Sequence, residues 1–432
     1  MKKIFVSILV CLMLVIPIQS ALGESKNLSI NNIETRENSV GVDVVDLVNQ
    51  VDELAANNYL EQLASFGPRP TGSKSCEDAA EYIHNELEKL GLDSYIDQWR
   101  FPLYKCQNVI ATLNGTDKSS DAIFLLCAHM DTIGDSPGAN DDGSGIAALL
   151  TIANICSKYS FNHTIRFVAT SGEEVGLYGS NDYARKIYAR NENVVAVINM
   201  DTFGNTTDKG GDVVYLLKPD RSDWISSFIK EIAQTYYEHI NLQVLPVGNR
   251  GNDHQSFLNY GYDTVQFVQL ARGNYPLHTP DDTIEKVNFT YLVKVIKLIL
   301  ATTATLADKP IELQVRFVTP KEGYHYLFNI PILRQLRINI GGKYTRGLTY
   351  IYGRTTARIN ITTNEEINSI SYIIDGQSSF SGFLQEPPYD WTTKISAKKL
   401  PTIGKHTLGV YVSTTSGKTA YDEMDIFVLT FY

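Results

Sequence analysis

Four short apolar runs constrain this chain more than any other feature: residues 122–128, 165–170, 194–200 and 264–270. Segments with apolar residues at helical spacing lie between and after them, at 146–156, 178–188, 224–239 and 292–306. Short runs buried on both faces and alternating with helices predict an α/β unit, a mixed and mainly parallel sheet flanked by helices. Upstream, 45–63 and 76–90 also read as helices. Gly67-Pro68-Arg69-Pro70 breaks the first, and Gly91 closes the second as a left-handed cap.

The pattern changes at Asp308-Lys309-Pro310. Beyond it the chain holds only short alternating runs, at 313–317, 348–352, 357–362, 370–374, 407–412 and 425–429, with turn signals between them. That spacing predicts an all-β sandwich. At the other end, Lys2 and Lys3 precede an apolar run over 4–18, and Ala21-Leu22-Gly23 follows, which reads as a secretory leader cut after Gly23. No later segment is expected to reach membrane-spanning length. The expected organisation is a leader at 1–23, a linker or propeptide at 24–45, the α/β unit at 46–308 and the β domain at 309–432.

The 48 acidic and 38 basic residues give a net charge of −10, or −12 once Lys2 and Lys3 leave. No basic run stands out, so nucleic acid is not an expected partner. Export would allow disulfides. Cys76, Cys106, Cys127 and Cys156 remain in the mature chain, with three pairings open.

Chemistry-bearing side chains fall where the apolar runs stop. His129 and Asp131 follow the first, Asp141 precedes a helix, Glu173 and Glu174 follow the second, Asp201 the third, and His278 lies beyond the fourth. The carboxyl ends of parallel strands border the ligand crevice in such sheets, so these groups are expected at one rim. Singly, each has an ordinary structural explanation. His129 could be a core histidine, Asp141 a helix N-cap, Glu173-Glu174 a solvated helix start, and Asp282 a cap or a contact to His278. Together they crowd carboxylates in a way that only raised pKa values or a cation can relieve. Two histidines with carboxylates and no cysteine suit zinc or a related divalent ion. Two ions about 3.5–4 Å apart would use the whole set.

His129-Met130-Asp131, the run Gly138 to Gly145, Gly172-Glu173-Glu174-Val175-Gly176, Asn199-Met200-Asp201 and the run His278 to Thr283 resemble the M28 family of co-catalytic zinc aminopeptidases. Phe66-Gly67-Pro68-Arg69-Pro70-Thr71-Gly72-Ser73 matches it too, and the likeness spans about residues 50 to 305. The resemblance implies a zinc-peptidase fold holding two Zn2+ per chain. It makes His129, Glu174, Asp201 and His278 terminal ligands and Asp141 the bridging one. It places Glu174 on the His129 metal and Asp201 on the His278 metal, or the two exchanged. It makes Glu173 the general base and Asp131 the group that fixes the His129 tautomer. The substrates implied are peptides with a free N-terminus. The sequence departs from some relatives at Leu277, where they carry a tyrosine for which Tyr275, two residues earlier, is the candidate substitute, and at Asn252 in Asn252-Asp253-His254, where the family motif has Ser. In the tail, Tyr372 to Gly376, Pro387 to Trp391 and Gly404 to Leu408 resemble a prokaryotic immunoglobulin-like module, for which cell-surface or carbohydrate contact is the expected use. The expected function is a secreted zinc aminopeptidase. The alternatives are a one-zinc glutaminyl cyclase on the same scaffold and a non-catalytic surface-binding protein.

Overall fold

The computed structural model describes residues 42–309, apart from 119, 206–210, 220–221, 249–250 and 270–275. It also describes 313–429, apart from 322, 328, 335–347, 354–355, 364, 376–390 and 393–402. The expected leader lies outside these residues.

Asp43 opens α1 (Val44–Asn49) by accepting from the amides of Val45 and Asp46, and Asp52 opens α2 (Glu53–Ala64) by accepting from Leu54. The single helix expected over 45–63 is therefore two, divided at the second capping aspartate. Ser73 caps α3 (Lys74–Lys89), which ends before Gly91 at φ +77°, the left-handed position expected there. A hairpin of β1 (Asp93–Phe101) and β2 (Tyr104–Leu113) follows. Then come β3 (Ala122–His129), α4 (Gly143–Cys156), β4 (Thr164–Thr170), α5 (Tyr178–Ala189) and β5 (Asn193–Met200). After β6 (Val213–Leu217), the helix expected over 224–239 breaks at Tyr236 into α6 (Asp223–Thr235) and α7 (Tyr237–Ile240). The unit finishes with β7 (Gln243–Val247), α8 (Asp253–Leu258), β8 (Thr264–Val268) and α9 (Phe289–Asp308).

The sheet order is β1-β2-β4-β3-β5-β8-β6-β7. The central block β4-β3-β5-β8 is parallel, and β2 and β6 join it antiparallel on either side. Along β3, Phe124, Leu126 and Ala128 enter the main core with α1–α4, α6 and α9. Ile123, Leu125 and Cys127 face the smaller core under α5 and α8. Burial on both faces explains why this strand reads as an unbroken apolar run. The chain passes from β3 to β4 on one side and then to β5 on the other. That reversal opens a crevice at the carboxyl ends of the strands.

One expectation is corrected. At 20 residues, α9 is long and apolar enough to cross a membrane by length and composition. It packs against α1, α4 and α6 instead, with 67% of its apolar window buried, as the central helix of the main core.

From residue 314 the described elements are all strands. The six-stranded sheet β11-β10-β12-β17-β16-β14 uses β10 (Tyr324–Leu327), β11 (Ile330–Arg334), β12 (Thr349–Tyr352), β14 (Ile367–Ile374), β16 (Ile403–Thr414) and β17 (Thr419–Leu429). The three-stranded sheet β15-β13-β9 uses β9 (Gln314–Thr319), β13 (Thr356–Thr362) and β15 (Trp391–Thr392). Val315 and Ala357 of the small sheet share a core with Ile370, Tyr372, Val410 and Val412 of the large one. Of the tail motifs, 376–390 lies outside the described residues. The β region docks where α5 ends and β5 begins. Arg316 donates to the carbonyls of Asn191 and Glu192, and Lys321 lies over the Tyr188 ring. This is the amino end of the parallel strands, the length of a strand away from the crevice.

Candidate metal centre

Each strand of the parallel block, and the loop after it, delivers one part of the site. β3 ends in His129, whose ring is buried. Its Nδ1 lies 3.0 Å from the Asp131 carbonyl oxygen, and the Asp131 carboxylate stands 3.6 Å away. The tautomer is therefore fixed by the backbone of Asp131 more than by its side chain, leaving Nε2 to face the crevice. The Asp131 carboxylate accepts instead from the Thr71 hydroxyl at 2.6 Å and from the Glu173 amide at 3.3 Å. It orients the loop that carries Glu173.

Asp141 and Asp142, joined by a cis peptide bond, face different partners. Asp142 is wholly buried and caps α4 through the Gly145 amide; it also accepts from the amides of His129 and Thr202. One carboxylate thus ties together the ends of β3 and β5 and the start of α4. Asp141 is left free to face the histidines. Its Oδ1 lies 3.2 Å from His129 Nε2 and its Oδ2 lies 2.8 Å from His278 Nε2.

Two donor groups result, His129 with Asp141 and Asp201, and His278 with Asp141 and Glu174, and they share Asp141. Asp201 Oδ1 is 3.9 Å from His129 Nε2, and Glu174 Oε2 is 3.5 Å from His278 Nε2. The grouping is the exchanged form of the pairing placed first above. β5 is hydrogen-bonded beside β3, so Asp201 emerges next to His129. Glu174, four residues past the end of β4, reaches outward to the rim, where the His278 side chain is 53% exposed. Asn252 donates to Asp201 Oδ2, as does Gln266 at 3.2 Å, so Asn at this position aims a carboxylate. Leu277 is half-buried at the rim, and Tyr275 lies outside the described residues.

The electrostatics are those of an acidic pocket. Burial, with Asp201, Asp253 and Asp131 nearby, pushes the Glu173 carboxyl up to about 10. Burial and Asp141 push Glu174 to about 7. Burial also raises Asp253 to about 6, and its Oδ2 accepts from Thr170. Burial opposes the ionised form of Asp141, but hydrogen bonds from His129 and His278 hold its pKa well below the ordinary range. The His278 hydrogen bond to Asp141 lifts the imidazole to about 9. A divalent cation pair fits this donor set. It offers two imidazole nitrogens and three carboxylates, an excess of negative charge, and a buried Glu174 Oε1 with no hydrogen-bond partner.

Residues outside the donor set hold it in place, among them Asp282, expected as a cap or a contact to His278, and Arg69, to which the sequence assigned no role. Asp282 accepts from the amides of Asn140 and Asp141 at 2.9 and 3.0 Å, fixing the loop that presents Asp141. Arg69 is fully buried, and burial lowers its pKa to about 10, so it stays charged at neutral pH. Its guanidinium donates to the carbonyls of Met130 (2.8 Å), Pro137 (2.7 Å) and Gly138 (3.0 Å). It thereby clamps the His129 loop to the Asp141 loop. Arg69→Met is expected to cost about 3–5 kcal/mol by leaving those carbonyls unpaired. Arg69→Lys should restore only part of this, for want of the planar fork. Urea unfolding midpoints measure both.

A mainly parallel α/β sheet with histidines and carboxylates gathered at its switch point defines a metal-dependent hydrolase class. Residues 108–303, a little under half of the chain, match the Peptidase family M28 model. The chain is 26% identical over 351 residues to a probable zinc metalloprotease of Pyrenophora tritici-repentis, covering 63% of this chain and 72% of that one. It is 28% identical over 270 residues to a probable leucine aminopeptidase of Arthroderma otae, covering 58% and 72%. The LapA aminopeptidase of Legionella pneumophila shares the fold, with a TM-score of 0.56 at 22% identity over 64% of this chain and 78% of that one.

Proposed function

We propose that the chain is a zinc-dependent aminopeptidase that removes N-terminal residues from peptides, with His129, Asp141, Asp201, Glu174 and His278 as ligands of two ions. The observation that carries this reading is the sharing of Asp141 between two donor groups, one oxygen to each. Zinc bound there supplies a Lewis acid for the scissile carbonyl and a water made acidic near neutral pH. Glu173 takes the proton from the attacking water and delivers it to the leaving amine nitrogen. Asp131 holds the Glu173 amide, and the Asp131 carbonyl holds the His129 ring, so base and ligand keep a fixed relation. Asp142 and Asp282 fix the backbone around Asp141.

The reading extends to an exported chain, freed of residues 1–23. Its tail, an immunoglobulin-like module, contacts a cell surface or carbohydrate. Docking of that region at the amino ends of the strands supports a role away from the crevice.

Hydrolysis of leucyl and glutaminyl chromogenic substrates, with and without a chelator, tests the reading. Turnover lost to the chelator and regained with zinc is expected. Cyclisation of N-terminal glutamine without hydrolysis would favour the cyclase instead, and no turnover at all a binding protein.

The proton balance gives a further expectation. Near pH 7 the metal-free site holds protons on His278, at about 9, and on His129, raised against its burial well above its ordinary value by the Asp131, Asp141 and Asp201 carboxylates, and about half a proton on Glu174, at about 7. Ligation requires all three groups deprotonated, so zinc must displace those protons. Zinc affinity should therefore rise as pH increases from 6 to 9, with protons released on binding. Calorimetry in buffers of different ionisation enthalpy reads the number released.

A further inference from the structure

The four mature cysteines leave three pairings open in the sequence, and the fold separates the candidates. Cys127 points from β3 into the core under α5 and α8, across the sheet from the other three. Cys156 ends α4. Cys76, in the first turn of α3, and Cys106, on β2, bring their sulfurs to 3.7 Å. Among the described residues this is the one thiol–thiol contact.

We propose that Cys76 and Cys106 are a disulfide-forming pair that fastens the start of α3 to β2. The sulfurs must approach by less than 2 Å to reach the bonding distance of about 2.05 Å, a movement within reach of side-chain rotation. The contact between the two thiols lowers Cys106 to about 6 and, with burial, holds Cys76 well above its ordinary value. Either sulfur can be the donor in that contact, so either cysteine can attack first and the other resolve.

The co-reactant is a small-molecule or protein disulfide. The thiolate of one cysteine attacks one of its sulfurs, forming a mixed disulfide and expelling a thiolate. The other cysteine, losing its proton, then attacks the first cysteine's sulfur and expels the second thiolate. The dithiol loses two electrons and two protons, and the co-reactant becomes two thiols. Both cysteines are buried, so exchange accompanies folding or local opening.

The cross-link joins residues 30 apart in sequence, and the segment leading into α3 carries Arg69 and Thr71. Those two residues hold the carbonyls behind the ligand loops and the Asp131 carboxylate. A closed bond therefore steadies the support of the metal site, without itself touching a proposed ligand. The pairing rests on the sulfur geometry and not on the metal reading.

The test refolds the full mature chain in a buffer of oxidised and reduced glutathione, alkylates free thiols, digests it and maps the peptides. A Cys76–Cys106 linked peptide two hydrogens lighter than its parts is expected, with Cys127 and Cys156 alkylated after denaturation. Reduction should lower the thermal midpoint by roughly 5–10 °C. A Cys76→Ser, Cys106→Ser variant should show one midpoint with or without reductant. Alkylation of all four cysteines in the oxidised sample, or a link joining any other pair, overturns the proposal. The peptide map reads the wild-type chain, so it decides even if the variant fails to fold.

Discussion

Glu173→Gln is expected to lower kcat by about 10²–10⁴ while the zinc content stays at two per chain. The side chain keeps its length and volume and loses only the capacity to take a proton. Its neighbours set the proton affinity on which the proposed base depends. Without cations, burial and the Asp201, Asp253 and Asp131 carboxylates keep the Glu173 proton on, up to about 10. Cations at the adjacent donor groups favour the ionised form and bring this pKa down toward the working range. The loaded wild-type enzyme should then lose activity as pH falls through that lowered value, while residual activity of the glutamine variant lacks that limb. Paired rate–pH profiles and elemental analysis check both parts. Unchanged turnover in the variant would remove Glu173 from the chemistry.

Asp141→Asn is expected to abolish turnover and to reduce bound zinc from two ions to one or fewer. Both donor groups run through this carboxylate, 3.2 Å from one histidine and 2.8 Å from the other. The amide retains one acceptor oxygen and no charge, so it cannot serve two cations. The Asp282 bonds go to the backbone amides of Asn140 and Asp141, which the substitution leaves in place. The variant should therefore keep the wild-type circular dichroism spectrum while its metal content falls, which separates loss of ligation from loss of fold.

Much of the parallel block and its rim could be read directly from the chain. β3 and β5 are buried on both faces, so their apolar runs stop abruptly at His129 and Asp201, and the polar residue at each stop is conspicuous. The flanking strands escaped notice for the opposite reason. β1 is half exposed, with Asp93, Asp97 and Arg100 among its residues, and β6 and β7 are five residues long. At six residues, α8 is too short to show a helical period. The ligand grouping was not legible either, because it depends on how far the Glu174 loop reaches beyond β4. Arg69 and Asp282 act on backbone carbonyls and amides, which leave no complementary residue type in the sequence. The family resemblance carried Asp131 as the partner of His129. The fold gives that task to its carbonyl and turns its carboxylate toward Thr71 and Glu173.

Anomalous scattering from a zinc-loaded crystal, recorded on both sides of the zinc edge, tests the shared-carboxylate centre most directly. Two peaks are expected about 3.5–4 Å apart on either side of Asp141. One should lie about 2.0–2.2 Å from His129 and Asp201, and the other at the same distance from His278 and Glu174. A single peak that Asp141 does not touch, or zinc bound only elsewhere on the chain, would contradict it.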